Sequence, residues 1–193
     1  EKPGTFWKLR MLSLADGSIR DVGEMNPKPV RSLRQSPLRI LAFQDAQLLY
    51  VAVNRGRQME YSEDLVSRMS ADGPFGVFNL AEGKLAWQTP IRSMNLILAK
   101  LDHSPVLIFT DRSYPIIGDL GQWKRDLRVL DRLTGCEMLN QQWNSDDQLI
   151  HVEIDPRKRD IRLICSRQVL RLKLKEDSHS SSRAEPSATE VGP

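Results

Sequence analysis

The sequence is poor in the residues on which most enzyme chemistry depends. It has two cysteines and three histidines in 193 residues, and aromatics make up 6%. Cys136 and Cys165 are too few for a disulfide framework and have no metal-ligand spacing. Both fall in strand-like runs, where a free cysteine behaves as a small apolar residue. His103, His151 and His179 pair with no Ser or Cys in a nucleophilic pattern, and Gly-x-Ser-x-Gly is absent. There is no glycine-rich phosphate loop. No apolar run approaches the roughly 18 residues that span a bilayer. The net charge is +3, yet Arg34, Arg92, Arg112 and Arg171 form no basic run with interleaved aromatics. That scatter reads as a solvated surface and argues against nucleic acid.

The acidic clusters are equally bland. Asn144–Asp147 lacks the alternating acids and central glycine of a calcium loop, so it reads as a polar turn. His151 and Glu153 share a strand face by parity. Asp155 and Asp160 bracket the basic turn at 156–159, where local charge balance is a sufficient explanation. The expectation is a non-enzyme with no catalytic, cofactor-binding or metal residues.

What the sequence does contain is a repeat. Leu9–Val22, Phe75–Gln88 and Leu127–Asn140 align residue for residue, with apolar residues first, third and fourth and glycine ninth: Gly17, Gly83 and Gly135. Each reads as strand, tight turn, strand, because glycine supplies positive φ without strain. Between the copies lie further paired runs: Leu38–Phe43 with Gln47–Val53, and Met94–Lys100 with Pro105–Thr110. Three more runs follow at Gln148–Ile154, Ile161–Cys165 and Val169–Leu174. Gly23–Pro37, Asn54–Pro74 and Asp111–Asp126 read as long loops. Within the second, Ser62 as N-cap, early acids and the spacing of Leu65, Val66 and Met69 predict one short helix. Lys175–Pro193 is serine-rich and almost free of apolar residues, which predicts a disordered tail.

Four antiparallel strands in about 40–50 residues is the size of a propeller blade. The predicted fold is therefore all-β, a partial β-propeller of about three to four four-stranded blades. Residues 1–22 end one blade, 23–88 and 94–141 form two more, and 148–174 form an incomplete last blade before the tail at 175–193. A sandwich of unrelated hairpins is the competing architecture, and the three aligned copies argue against it.

Asn79–Trp87 and Asp131–Gly135 carry a resemblance to the repeat of PQQ-like β-propellers, the quinoprotein alcohol dehydrogenase-like fold. That repeat runs as an apolar strand, Asp, two residues, Thr-Gly-Lys, two residues and Trp. Asp131, Thr134 and Gly135 match its first half, and Gly83 and Trp87 its second. Asn79 replaces the Asp, Leu139 replaces the Trp, and the first copy has Ser13 and Asp21 at those places. The resemblance covers Leu9 to Leu174 by pattern. It implies that Trp87 packs between blades and that this is the carboxy-terminal portion of a longer bacterial propeller, with periplasm or cell envelope favoured. A chain opening on Glu1 rather than Met agrees with that expectation. Of the family's quinone and calcium ligands nothing carries over.

By strand parity the turns at 15–17, 44–46, 81–83, 101–104 and 133–135 fall on one end, and the three long loops on the other. Long loops on a rigid scaffold are where binding residues concentrate. Tyr61 with Met59, and Tyr114 with Ile116, Ile117 and Trp123, are the candidate contacts for a protein partner. The same residues could instead cap the strand ends. Other blades of the same longer chain are the second expected partner. The alternative function is part of a PQQ-dependent dehydrogenase whose cofactor site lies outside this chain. Quinone- and calcium-dependent dye reduction by the full-length protein would discriminate the two.

Overall fold

A computed structural model describes residues 6–26, 39–54, 66–99, 101, 104–113, 123–144, 147–155, 157–158, 160–174 and 187–188. Their twelve strands are β1 (Trp7–Leu12), β2 (Ile19–Met25), β3 (Arg39–Gln44), β4 (Leu48–Asn54), β5 (Arg68–Asn79), β6 (Lys84–Ile97), β7 (Val106–Ser113), β8 (Lys124–Asp131), β9 (Glu137–Asn144), β10 (Leu149–Asp155), β11 (Asp160–Cys165) and β12 (Val169–Lys173). They pair in three antiparallel sheets: β1-β2, β3 to β9 in chain order, and β10-β11-β12, to which the two-residue strand Ser187–Ala188 adds at the β12 edge. The sheets are not closed. Ser187–Ala188 pairs with Leu170 and Arg171 on the outer side of β12. The rest of the predicted disordered tail lies outside the described residues.

The all-β expectation holds, and the predicted helix does not appear among the described residues. Met69 and Ala71 are buried and alternate with the half-exposed Arg68, Ser70 and Asp72. That period of two makes 68–72 the start of β5, whereas the spacing of Leu65, Val66 and Met69 had predicted a helix. Residues 62–65 of the predicted helix lie outside the described set. The loops expected at 23–37, 54–74 and 111–126 are shorter at their edges. Gly23–Met25 continue β2, Arg68–Pro74 belong to β5, and 111–113 and 124–126 extend β7 and β8.

A larger correction concerns β6. A break was expected between Gln88 and Met94, but one strand runs from Lys84 to Ile97. The continuation passes through Ser93, whose φ of 47° lies in the left-handed region. Asp72 on β5 holds it there, its carboxylate accepting from the Ser93 N–H at 3.1 Å and the hydroxyl at 3.3 Å. Because no reversal occurs at 89–93, the expectation that every short turn falls on one end along the chain fails. It survives only within each of two compact units.

The first unit is Glu1–Gln58 with Ser70–Met94. In it the two-stranded β1-β2 sheet lies on one face of the larger sheet. Val22 and Met25 from β2 close over Val51, Val53, Phe78 and Leu80, with Trp7, Leu9 and Met11 from β1 packed against them. Such apolar contact contributes roughly 25 cal/mol for each Å² removed from water. Gly23 (φ 141°) lets β2 touch the β5-β6 hairpin, since a Cβ there would stand 3.0 Å from the Leu85 nitrogen and from the Phe78 ring. Asn26 and the Gln88 amide exchange two hydrogen bonds, at 3.1 and 2.6 Å, at the end of this seam.

The second unit is Met59–Met69 with Asn95–Pro193. The β10-β11-β12 sheet presents Leu149, Val152, Ile161, Leu163, Cys165 and Leu172, and these pack with Ile97, Val106, Ile108, Leu127 and Val129. Cross-strand pairing puts Ile108 opposite Val129 and Thr110 opposite Leu127, so one face of β7-β8 supplies the floor. The start of β5 enters this unit too, with the Leu98 N–H donating to the Ser67 carbonyl at 2.9 Å.

Candidate functional site

The three glycine turns share one backbone pattern. Gly17 donates to the Ser13 carbonyl at 2.9 Å, Gly83 to Asn79 at 3.0 Å, and Gly135 to Asp131 at 2.9 Å. All three glycines have φ between 63° and 72°. Asp131 tightens its turn by accepting from the Leu133 and Thr134 N–H groups at 3.0 and 2.7 Å and from the Thr134 hydroxyl at 2.8 Å. Asn79 does the same for Ala81 and Glu82 at 2.9 and 3.2 Å. The first turn has Ser13 at that place. Its carboxylate comes instead from Asp16, which accepts from the Ser18 N–H at 3.1 Å and hydroxyl at 2.8 Å. Hydrogen bonding, from the Ser13 hydroxyl first and then from Ser18, lowers the Asp16 pKa from 3.8 to about 2. These turns are stiff ends of hairpins, made by local side-chain-to-backbone bonds.

Trp87 is half-buried, and its ring lies 5.9 Å from that of Phe75 on the same β5-β6 hairpin. Tyr61, Tyr114, Met59, Ile116 and Ile117 fall outside the described residues. Trp123 is the expected contact residue that is described. It is 37% exposed and immediately precedes β8, where the 114–122 connection rejoins the sheet. Asp131, Thr134 and Gly135 lie at the other end of the same strand.

Two residues along the chain from Trp123, Arg125 belongs to a polar cluster that the sequence reading missed. Arg125 is 2% exposed. Its guanidinium donates to the Thr110 hydroxyl at 3.2 Å and to the Asp147 carbonyl at 2.5 Å. The buried Asp147 carboxylate accepts from the Ser166 hydroxyl at 3.0 Å, and that hydroxyl accepts from the Gln148 N–H at 3.2 Å. The chain thus ties β7 and β8 to the approach to β10 and the turn after β11. Burying a guanidinium is costly without such partners. The Trp143 side chain, directly opposite Arg125 across β8 and β9, has an indole N–H with no acceptor among the described residues. Strand parity could have revealed the cluster, because Arg125 shares a strand face with the core residues Leu127 and Val129.

The other expected structural groups are committed. Glu153 pairs with Arg162 at 2.6 Å, and His151 is exposed. Asp160 takes the Arg171 Nε on both oxygens at 2.7 and 3.0 Å, a hydrogen bond that lowers its pKa. Asp155 accepts from the Arg157 and Lys158 N–H groups at 3.1 and 3.2 Å, and these bonds, Lys158 first, lower its pKa. Cys136 is exposed and Cys165 is buried in the core, both as thiols. Among the described residues no three His, Cys, Asp or Glu side chains converge as metal ligands. No helix among them is long and apolar enough to cross a membrane. Comparison with protein-family models, with curated proteins and with solved structures finds no match to this chain.

Proposed function

We propose that the chain is a non-catalytic scaffold of β-propeller type that binds a protein partner through its long connections. The observation that carries this reading is the asymmetry within each unit. In the first, the turns at 45–47 and 80–83 are tight and the connection at 55–65 leaves from the other end of the strands. In the second, the turn at 132–136 is locked by Asp131, while 114–122 leaves from the end where Arg125 and Asp147 are buried. A rigid framework with variable connections at one end is the usual arrangement for recognition. Trp123 at the root of such a connection is a large amphipathic contact residue of the kind that dominates interfaces. Propeller repeat, partner and envelope location all rest on the sequence pattern and the resemblance described above.

The test is a matched pair of surface changes. Trp123→Ala and Tyr114→Ala should each weaken capture of the protein's partner at least tenfold with an unchanged circular dichroism spectrum. Leu133→Ala, an exposed apolar residue on the locked turn, should leave it unchanged. Loss of folding in the first two with no separable binding defect would sink the proposal.

A further inference from the structure

A different surface, in the first unit, has the form of a slot for one more strand. β1 pairs with β2 alone among the described residues. The Ser13 N–H bonds to the Ser18 carbonyl, which makes Leu12 and Ile19 a non-hydrogen-bonded pair. Arg10 and Leu12 therefore aim their main-chain N–H and C=O groups away from β2. An unpaired edge of this kind is a template for another chain.

The floor beside that edge is apolar and uncovered. Ile40 and Ala42 on β3 stand directly opposite Val53 and Val51 on β4, so all four share one face. Val51 and Val53 are sealed by the small sheet, whereas Ile40 is 57% exposed and Ala42 is exposed. The close approach of Gly23 to Leu85 and of Gly83 to the Asp21 carbonyl places β2 over the β5-β6 hairpin. That leaves β1 on the β4 side. A strand added to β1 at the usual spacing of about 4.8 Å would then run over β3, about 10 Å above it. Its inward side chains would cover Ile40 and Ala42.

The solvent face of β1 sets the charge of the occupant. Lys8 and Arg10 project there, each already flanked on the β2 side by an acid, Glu24 at 3.6 Å and Asp21 at 2.9 Å. Two β1 strands from two copies paired in register about Arg10 would set cation against cation, which is unfavourable across a ladder. An acidic strand would instead complete an acid–base–acid ladder. We propose that the β1 edge accepts an extended segment of a separate polypeptide in which apolar and acidic side chains alternate. This is strand addition, with main-chain bonds giving affinity and alternate side chains giving selectivity.

The probe is a fluorescent octapeptide of alternating valine and glutamate, titrated into the full chain at low salt. It should bind saturably, and at least tenfold more tightly than the valine–lysine peptide of the same length. Peptide should slow hydrogen exchange at the Arg10 and Leu12 amides. Ile40→Glu changes an exposed side chain, should leave the circular dichroism unchanged, and should weaken the glutamate peptide at least tenfold. Lys8→Glu with Arg10→Glu should reverse the preference between the two peptides. Equal affinity for both peptides, no binding of either, or full binding by Ile40→Glu overturns the proposal. So does protection of the Arg10 and Leu12 amides before peptide is added, whether a second copy or the chain itself provides it.

Discussion

The two units meet the same requirement, a small sheet laid on a larger one, in different ways. In the first, the seam is apolar apart from its end, and a glycine sets the distance of closest approach. In the second, three strands cover the floor, and a buried chain of hydrogen bonds from Arg125 to Ser166 runs through one end of the seam. Apolar contact supplies most of the free energy in both cases, but it is non-directional. It brings β2 onto the β5-β6 hairpin without deciding what lies beyond β1, and the strip at Ile40 and Ala42 stays open. A hydrogen-bonded guanidinium is directional. Here it ties β8 to β7 and to the residue two before β10.

The largest effect should come from removing that direction. Arg125→Met keeps much of the volume but leaves the Thr110 hydroxyl and the Asp147 carbonyl without their donor. Buried groups left unpaired cost about 1–3 kcal/mol each, so a loss of about 3 kcal/mol is expected. Hydrogen exchange should accelerate in β7, β8 and β10 to β12, with rates in β3 and β4 unchanged. Equal acceleration in both units would break the distinction drawn between them. The reciprocal change is Gly23→Ala. A Cβ at 3.0 Å from a backbone nitrogen, on a residue at φ 141°, forces the seam apart. A loss of about 2 kcal/mol is expected, read by denaturant titration, with faster exchange confined to β1 and β2.

Much of this framework was legible in the sequence, for a physical reason. Alternation of apolar residues and glycine at the ninth place are local signals, and they located both strands of each repeated hairpin. Features that depend on a distant partner were not legible. The continuity of β6 rests on Asp72 capturing Ser93, a contact across the hairpin that no local pattern announces. The alternation of Met69 with Ala71 competed with a helical spacing over the same residues, and burial in the sheet decided between them. At the candidate site Trp123 was singled out because it is large and sits beside a long connection. Arg125 was missed because a lone arginine between polar residues reads as surface. Its shared parity with Leu127 and Val129 was the signal that could have revealed it.

The smallest effect sharpens the contrast at the level of single turns. In the second unit Asp131 binds two backbone N–H groups and the Thr134 hydroxyl from the first position of its turn. In the first unit Asp16 holds the β1-β2 turn from its far side, through Ser13 and Ser18. The Asp16 pKa of about 2 lies below its ordinary 3.8. The carboxylate's support is therefore complete above the ordinary value and fades as pH falls toward the lower one. A carboxyl-carbon titration should give Asp16 a midpoint near 2, and Ser13→Ala should move it toward 3.8. Over the same interval the Gly17 amide should exchange faster in Ser13→Ala than in the parent protein, with the Gly135 amide indifferent to that change. Because Asp16 is exposed, solvent competes for every one of these bonds, and the expected consequence is a local opening of the turn. A midpoint at 3.8 in the parent protein would mean that the first turn is held by its backbone alone.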